Sequence, residues 1–115
     1  MPLHQDNLLV NKTMDFIKSL VPVLARFPKN QRYLLGDRMQ NAATDTLEYL
    51  VEAYYAATAD KPPLLRKVNV LLEKLRVLNR ICFELGYYDS GKYRQIAHDV
   101  DQIGNMAGGW LRSLR

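Results

Sequence analysis

The sequence predicts an all-α protein, an antiparallel up-down-up-down four-helix bundle. Apolar residues recur at spacings of three and four along four segments, which is the helical period. The segments are joined by short connections that carry Pro, Gly, Asn or Asp. No segment has the alternating pattern of a strand bounded by turns. Short connections place consecutive helices antiparallel, and 115 residues suit a single domain.

The first predicted helix covers residues 11–26, where Met14, Ile17 and Leu24 belong to the recurring apolar set. Pro22 lies near the end of this segment. Because proline lacks an N–H group and its ring clashes with the preceding turn, we expect a bend or break there. Residues 1–10 precede the pattern, and we expect them to be frayed.

The second predicted helix is the longest, at residues 31–59. In the connection before it, Pro28 disfavours helical geometry at Phe27. Asn30 is the expected N-cap because its side chain can accept a bond from a free N–H group of the first turn. Gly36 lies near the start of the helix, where glycine costs about 1 kcal/mol relative to alanine. A close approach by a neighbouring group is the expected reason for this glycine.

The third helix is predicted to begin at the prolines of residues 62 and 63 and to end near Leu85, with Gly86 as the residue that terminates it. Asp89 or Ser90 is the expected N-cap of a fourth helix that reaches Leu114. Three glycines interrupt its last part: Gly104, Gly108 and Gly109. Such a helix is unstable alone, so we expect tight packing around it.

The third helix has more apolar surface than a bundle core needs. At about 100° per residue, one broad face collects the expected core residues. These are Val68, Leu71, Leu72, Leu75, Leu78, Cys82 and Leu85. A second, polar face contains Arg66, Asn69, Glu73, Arg76 and Arg80. Val70, Val77 and Ile81 point away from the first face, which predicts an interface between copies of the chain.

The same segment is the most basic part of a chain with net charge +4. Residues 61–80 contain one anion, Glu73, and six cations: Lys61, Arg66, Lys67, Lys74, Arg76 and Arg80. Arg76 and Arg80 lie one helical turn apart, close enough to meet adjacent phosphates with their planar guanidinium groups. The alternative is internal pairing, of Arg76 with Glu73 and of Arg80 with Glu84.

Catalytic and metal-binding patterns are absent from the sequence. It contains no Gly-x-Gly-x-x-Gly, P-loop, Cys-x-x-Cys or His-Glu-x-x-His motif. The single cysteine, Cys82, falls on the apolar face, and His98 with Asp99 and Asp101 can bring at most two ligands together. We therefore expect no enzyme activity, metal or cofactor. The N-terminus does not resemble a secretory signal and no stretch is long enough to span a membrane, so a cytoplasmic location is expected.

Three stretches together resemble a known family. They are residues 27–39 (FPKNQRYLLGDRM), 75–86 (LRVLNRICFELG) and 103–114 (IGNMAGGWLRSL). In order and spacing they are similar to the bacterial four-helix proteins that include the accessory variability determinant protein, Avd, of diversity-generating retroelements. The resemblance covers about residues 10–114. The same family includes proteins encoded in intervening sequences of 23S ribosomal RNA genes.

The resemblance implies a homopentameric barrel that binds a reverse transcriptase and RNA or cDNA during mutagenic retrohoming. It implies that Val70, Val77 and Ile81 pack between protomers. It also favours nucleic-acid or partner contacts for the basic residues, first on the third helix and then on its neighbours: Arg66, Lys74, Arg76 and Arg80, with Arg38, Arg112 and Arg115 as weaker candidates. The alternative is a structural or interaction bundle of the ribosomal intervening-sequence type, without a nucleic-acid role.

Overall fold

The fold is a four-helix bundle, seen in a computed structural model that describes residues 7–114. Its helices are α1 (Leu8–Leu24), α2 (Asp37–Tyr55), α3 (Lys61–Glu84) and α4 (Ser90–Ser113). No strand occurs within this described range. The bundle measures 43 × 25 × 22 Å. The predicted all-α four-helix bundle is confirmed, and the pentameric barrel stays a prediction.

Each helix packs against its neighbours in sequence, and α1 closes the bundle against α4. Side-chain contacts show that α2 and α3 run antiparallel, because Met39 near the start of α2 meets Cys82 near the end of α3. The α3–α4 pair is antiparallel as well, since Arg76 of α3 bonds to Asp101 of α4 and Lys61, at the start of α3, lies over the ring of Trp110. The core therefore lies along a single axis between the four helices.

Helix α1 begins three residues before its predicted start. Asn7 has an extended backbone and accepts a hydrogen bond from the N–H group of Val10 at 3.0 Å, which makes it an effective N-cap. Leu9 and Val10 are buried in the core. The expected fraying of the N-terminus is therefore wrong for residues 8–10, and residues 1–6 lie outside the described range. Pro22 lies inside α1, two residues before the helix ends.

A short turn of α-helix (Lys29–Gln31) and a π-helix (Arg32–Gly36) lead directly into α2. Pro28, not Asn30, occupies the N-cap position, so the predicted cap is wrong. Gly36 is buried, but a Cβ atom there would lie 3.5 Å from the carbonyl oxygen of Gln31 and 3.8 Å from the ring of Phe27, which are ordinary contact distances, so the predicted close approach does not explain this glycine.

Helix α2 ends four residues earlier than predicted, and a lysine side chain binds its last carbonyl groups. The Lys61 ammonium donates to the carbonyl oxygens of Ala53 at 2.7 Å and Tyr54 at 3.0 Å. These are among the groups that a helix end leaves without intrahelical bonds. The chain then becomes extended at Ala56 and makes a single 3₁₀ turn (Thr58–Asp60) before α3.

The connection between α3 and α4 follows the prediction. Gly86 has φ of +79°, a conformation that L side chains rarely adopt, and its N–H group bonds to the carbonyl of Phe83 at 2.9 Å. Asp89 caps α4 by accepting from the N–H group of Lys92 at 2.8 Å. Leu85 was predicted to join the core, but it is the C-cap of α3 and is 55% exposed.

The buried side of α3 includes a polar residue that the apolar pattern did not predict. Asn79 is 1% exposed; its amide donates to the carbonyl oxygen of Tyr93 at 3.1 Å, and its side-chain oxygen accepts from the Tyr88 hydroxyl. Each of these buried groups has a partner, as stability requires. Burial raises the pKa of the nearby Cys82 thiol to about 11, and it also raises the pKa of Tyr88.

Candidate nucleic-acid and assembly surface

Helix α3 presents an apolar stripe to the outside of the bundle. Val70, Val77 and Ile81, called here the outer stripe, are 56%, 54% and 39% exposed. The helical period puts them on the side of α3 opposite Val68, Leu72 and Leu75, which are buried. The predicted outward direction of these three residues is thus confirmed, although their role as an interface stays a prediction.

A shallow groove of about 620 Å³ runs between α2 and α3 beside the outer stripe. Its floor is largely apolar, and charged residues stand on both rims. It is lined by Arg38, Asn41, Ala42 and Asp45 from α2 and by Val70, Leu71, Glu73, Lys74, Val77 and Leu78 from α3. Lys74 therefore lies on the same side of α3 as two residues of the outer stripe, so the apolar and cationic features predicted separately occupy one surface.

Two of the six cations on residues 61–80 lie over aromatic rings of the same protomer. Lys61 holds the end of α2 through two carbonyl groups, and its ammonium lies 5.8 Å from the ring centre of Trp110. The Lys67 ammonium lies 5.1 Å from the ring centre of Tyr49 on α2. Cation–π contacts of this kind contribute about 0.5–1 kcal/mol at exposed sites.

Arg76 and Arg80 both make the internal ion pairs that the alternative hypothesis predicted. Arg76 Nη1 lies 2.9 Å from Glu73 Oε2, and Arg80 Nε lies 2.9 Å from Glu84 Oε2. Arg76 also donates from Nε to Asp101 Oδ1 of α4 at 3.1 Å. The arginine side chains differ in exposure, 36% for Arg76 and 74% for Arg80. Arg76 is thus held between two helices, whereas Arg80 stands mostly in solvent.

Three other candidate cations, Arg38, Arg66 and Lys74, are exposed and have no hydrogen bond or ion pair within residues 7–114. Arg38 and Lys74 line the groove, and Arg66 lines its continuation toward Tyr49. The groove therefore collects the cations of α2 and α3 that lack internal partners in the described part of the chain.

Of the two remaining candidates, Arg112 lies far along the bundle from Arg80. Arg112 folds back along α4, where a Cβ atom at Gly108 would lie 3.4 Å from its Nη1 atom. Because Trp110 meets Lys61, Arg112 belongs to the end of the bundle where α3 begins. Arg80 is nineteen residues further along α3, about 28 Å at 1.5 Å per residue. Arg115 lies outside the described residues.

Sequence analysis did not connect two residues of α4, Asp101 and Gly104, with Arg76. Asp101 is the second anion on Arg76, and a Cβ atom at Gly104 would lie 3.1 Å from the Nη2 atom of Arg76. The expectation of tight packing around the glycines of α4 is therefore supported at Gly104. The spacing of three between Asp101 and Gly104 puts them on one face of α4, but only the pairing of α3 with α4 identifies Arg76 as their neighbour.

The acidic and imidazole groups of α4 do not form a site. His98 is exposed, whereas Asp99 is largely buried, accepts from Gln95 at 3.2 Å and lies 3.6 Å from the Lys12 ammonium. Within the described residues, no group of three or more His, Cys, Asp or Glu side chains is arranged to hold a metal ion. None of the helices in this range is long and apolar enough to cross a membrane.

Comparison with known proteins identifies the family of this chain. No match is found among curated proteins. A family model described as bAvd-like matches residues 7–114, which includes all four helices and the whole of the groove. The chain therefore belongs to the bAvd-like family.

Proposed function

We propose that this protein is a non-catalytic accessory factor of a diversity-generating retroelement. In this proposal it assembles into a homo-oligomer, by family resemblance a pentamer, and binds reverse transcriptase and RNA or cDNA in the cytoplasm through its basic surface. The observation that carries the proposal is the groove, where the outer stripe adjoins Arg38, Arg66 and Lys74. Membership of the bAvd-like family supports it.

Assembly is proposed to bury the outer stripe. A valine or isoleucine that loses about half of its exposure contributes on the order of 1 kcal/mol, so three residues on each side of a contact give a meaningful driving force. Large apolar side chains that stand alone on a surface are common and need no explanation. The outer stripe differs because its members follow one another along a single helix and two of them, Val70 and Val77, line a groove between two helices.

Assembly is also proposed to concentrate positive charge. Each copy adds a net charge of +4, and counterion release makes binding to a phosphate backbone increase steeply with the number of phosphates contacted. Lys74 lies between Val70 and Val77 on the same side of α3, so in an assembly its ammonium group lies at the seam between copies.

The test of the nucleic-acid role is a titration of fluorescent poly(U) RNA at several salt concentrations. We expect the logarithm of affinity to fall linearly with the logarithm of salt concentration. Joint replacement of Arg38, Arg66 and Lys74 by alanine is expected to flatten this slope. The matched control replaces three exposed cations away from the groove, Lys18, Arg26 and Lys29, which removes the same charge. Equal effects of the two triple variants contradict a role for the groove.

The test of the partner is co-expression with a reverse transcriptase if one is encoded beside this gene. Joint purification of the two proteins supports the proposal, and separate elution contradicts it. A gene located beside a reverse transcriptase with template and variable repeats supports the retroelement role. A gene located inside a ribosomal RNA gene supports the second candidate.

The second candidate is a structural or interaction bundle without a nucleic-acid role. One observation favours it: Arg76 and Arg80 are paired with carboxylates of the same protomer. Under this candidate the outer stripe still mediates assembly, but poly(U) binds to this protein no better than it binds to an uncharged protein surface of equal size. The salt titration distinguishes the two.

A further inference from the structure

The two arginines at the α3–α4 edge have different surroundings, although they lie one turn apart. We infer that Arg76 is a positioning residue that ties α3 to α4, that phosphate contact at this edge falls to Arg80, and that Glu84 competes with the phosphate for Arg80. This inference rests on the proposed nucleic-acid role and assigns the residues within it.

Arg76 is tied to the protomer by two carboxylates. Its Nε atom donates to Asp101 at 3.1 Å, and its Nη1 atom donates to Glu73 at 2.9 Å. Its Nη2 atom lies beside Gly104, where a Cβ atom would be only 3.1 Å away. Two of the three guanidinium nitrogens are therefore engaged, and a phosphate must compete with carboxylates of two helices to bind Arg76.

Arg80 is much less constrained. Its one ion pair uses Nε, and Nη1 and Nη2 have no partner within residues 7–114. The pair with Glu84 is exposed, and its order, with the cation nearer the N-terminus, is the weaker orientation of an i,i+4 pair. Exposed pairs of this kind are weak, so Glu84 yields readily to a phosphate oxygen. Arg80 can thus donate from Nη1 and Nη2 to a phosphate before its ion pair with Glu84 breaks.

Glu84 limits the affinity in two ways. It occupies one donor of Arg80, and it places a negative charge close to the incoming phosphate. Removing that charge is expected to raise affinity about two- to fivefold, the range that corresponds to the energy of an exposed ion pair. We expect this gain in affinity only if Arg80 contacts the ligand. Salt screens the repulsion between Glu84 and any phosphate that lies more than a Debye length away, about 10 Å at 0.1 M salt.

The experiment compares single variants in titrations of poly(U) RNA and, in a second arm, oligo(dT) DNA, since both offer the same phosphodiester backbone. Arg80→Ala is expected to lower the salt slope by about 0.7 for each phosphate that Arg80 neutralises, and Arg80→Lys to restore most of it. Arg76→Ala is expected to leave the slope unchanged. Glu84→Gln is expected to strengthen binding, while Glu52→Gln, an equal charge change on α2, is expected to have little effect.

Each outcome decides the assignment. If Arg76→Ala lowers the slope as much as Arg80→Ala while helix content is retained, or if Glu84→Gln and Glu52→Gln act alike, the assignment is wrong and the proposed function stands. If the unsubstituted protein binds neither strand, the proposed function is wrong and the assignment fails with it. Binding in only one arm identifies which nucleic acid is held and supports the assignment if the variants rank as expected.

Discussion

The inner and outer faces of α3 carry aliphatic side chains of the same kind in opposite surroundings. Val68 is fully buried, whereas Val70, two residues later, is 56% exposed. The inner face is required for the bundle to form, because it supplies part of the core. Within residues 7–114 the outer face stays outside the core, and its apolar residues and adjacent cations are exposed.

The largest expected difference between the two faces is in folding stability. Leu75→Ala removes a fully buried side chain and is expected to lower the free energy of unfolding by about 2–5 kcal/mol. Val77→Ala removes methyl groups from a side chain that is 54% exposed and is expected to change it by about 0.5 kcal/mol or less in the dispersed protomer. Urea unfolding at low protein concentration measures both. Similar losses in the two variants contradict the distinction between the faces.

The burial of Cys82 on the inner face predicts a loss of folding stability at alkaline pH. The thiol of Cys82 has an ordinary pKa of 9.0, which burial raises to about 11. The folded state therefore favours the neutral thiol, so this contribution is complete below pH 9 and is lost as the pH rises from 9 to 11. The loss is expected to reach roughly 2 kcal/mol, since each pKa unit corresponds to about 1.4 kcal/mol.

A Cys82→Ala variant supplies the control for this prediction. Its stability is expected to decline less between pH 9 and 11, even though it starts lower because of the cavity it creates. Tyr88, whose pKa is also raised by burial, contributes a further decline at higher pH in both proteins. Unfolding curves with the same pH dependence in the two proteins rule out the buried thiol as a cause.

The smallest expected effect concerns the two arginines at the edge of α3. Arg76→Ala breaks ion pairs to Glu73 and Asp101 and is expected to cost about 1 kcal/mol of stability. Arg80→Ala breaks one exposed pair and is expected to cost less than about 0.5 kcal/mol. Thermal unfolding at low and high salt is the measurement, with the difference shrinking as salt screens the pairs. A larger loss for Arg80→Ala is incompatible with Arg76 as the link between α3 and α4.

The sequence alone predicted the bundle because each helix has a clear apolar period and distinct end signals at Gly86 and Asp89. It placed other boundaries wrongly. Helix α2 ends at Tyr55, where Lys61 binds carbonyl groups that the helix end leaves free, and this contact depends on the packing of α2 against α3. Asn30 is a good N-cap by residue type, but the chain enters its helix at Pro28.

The candidate surface was predictable to the extent that it lies on one helix. The projection of α3 correctly placed the outer stripe, and the spacing of Arg76 with Glu73 and of Arg80 with Glu84 correctly indicated their pairing. The groove was not predictable, because it needs Arg38, Asn41 and Asp45 of α2 beside Lys74 of α3. The neighbours of Arg76 on α4 were missed for the same reason, since Asp101 and Gly104 belong to another helix.

The central claim is that the outer face of α3 brings copies of the chain together. Size-exclusion chromatography with light scattering tests it most directly, on the unsubstituted protein and on Val77→Asp, with Lys18→Asp as an exposed control on α1. We predict a mass that is a multiple of 13.3 kDa for the unsubstituted protein and the control, and 13.3 kDa for Val77→Asp. A mass of 13.3 kDa for the unsubstituted protein, or an intact assembly in Val77→Asp, contradicts the claim.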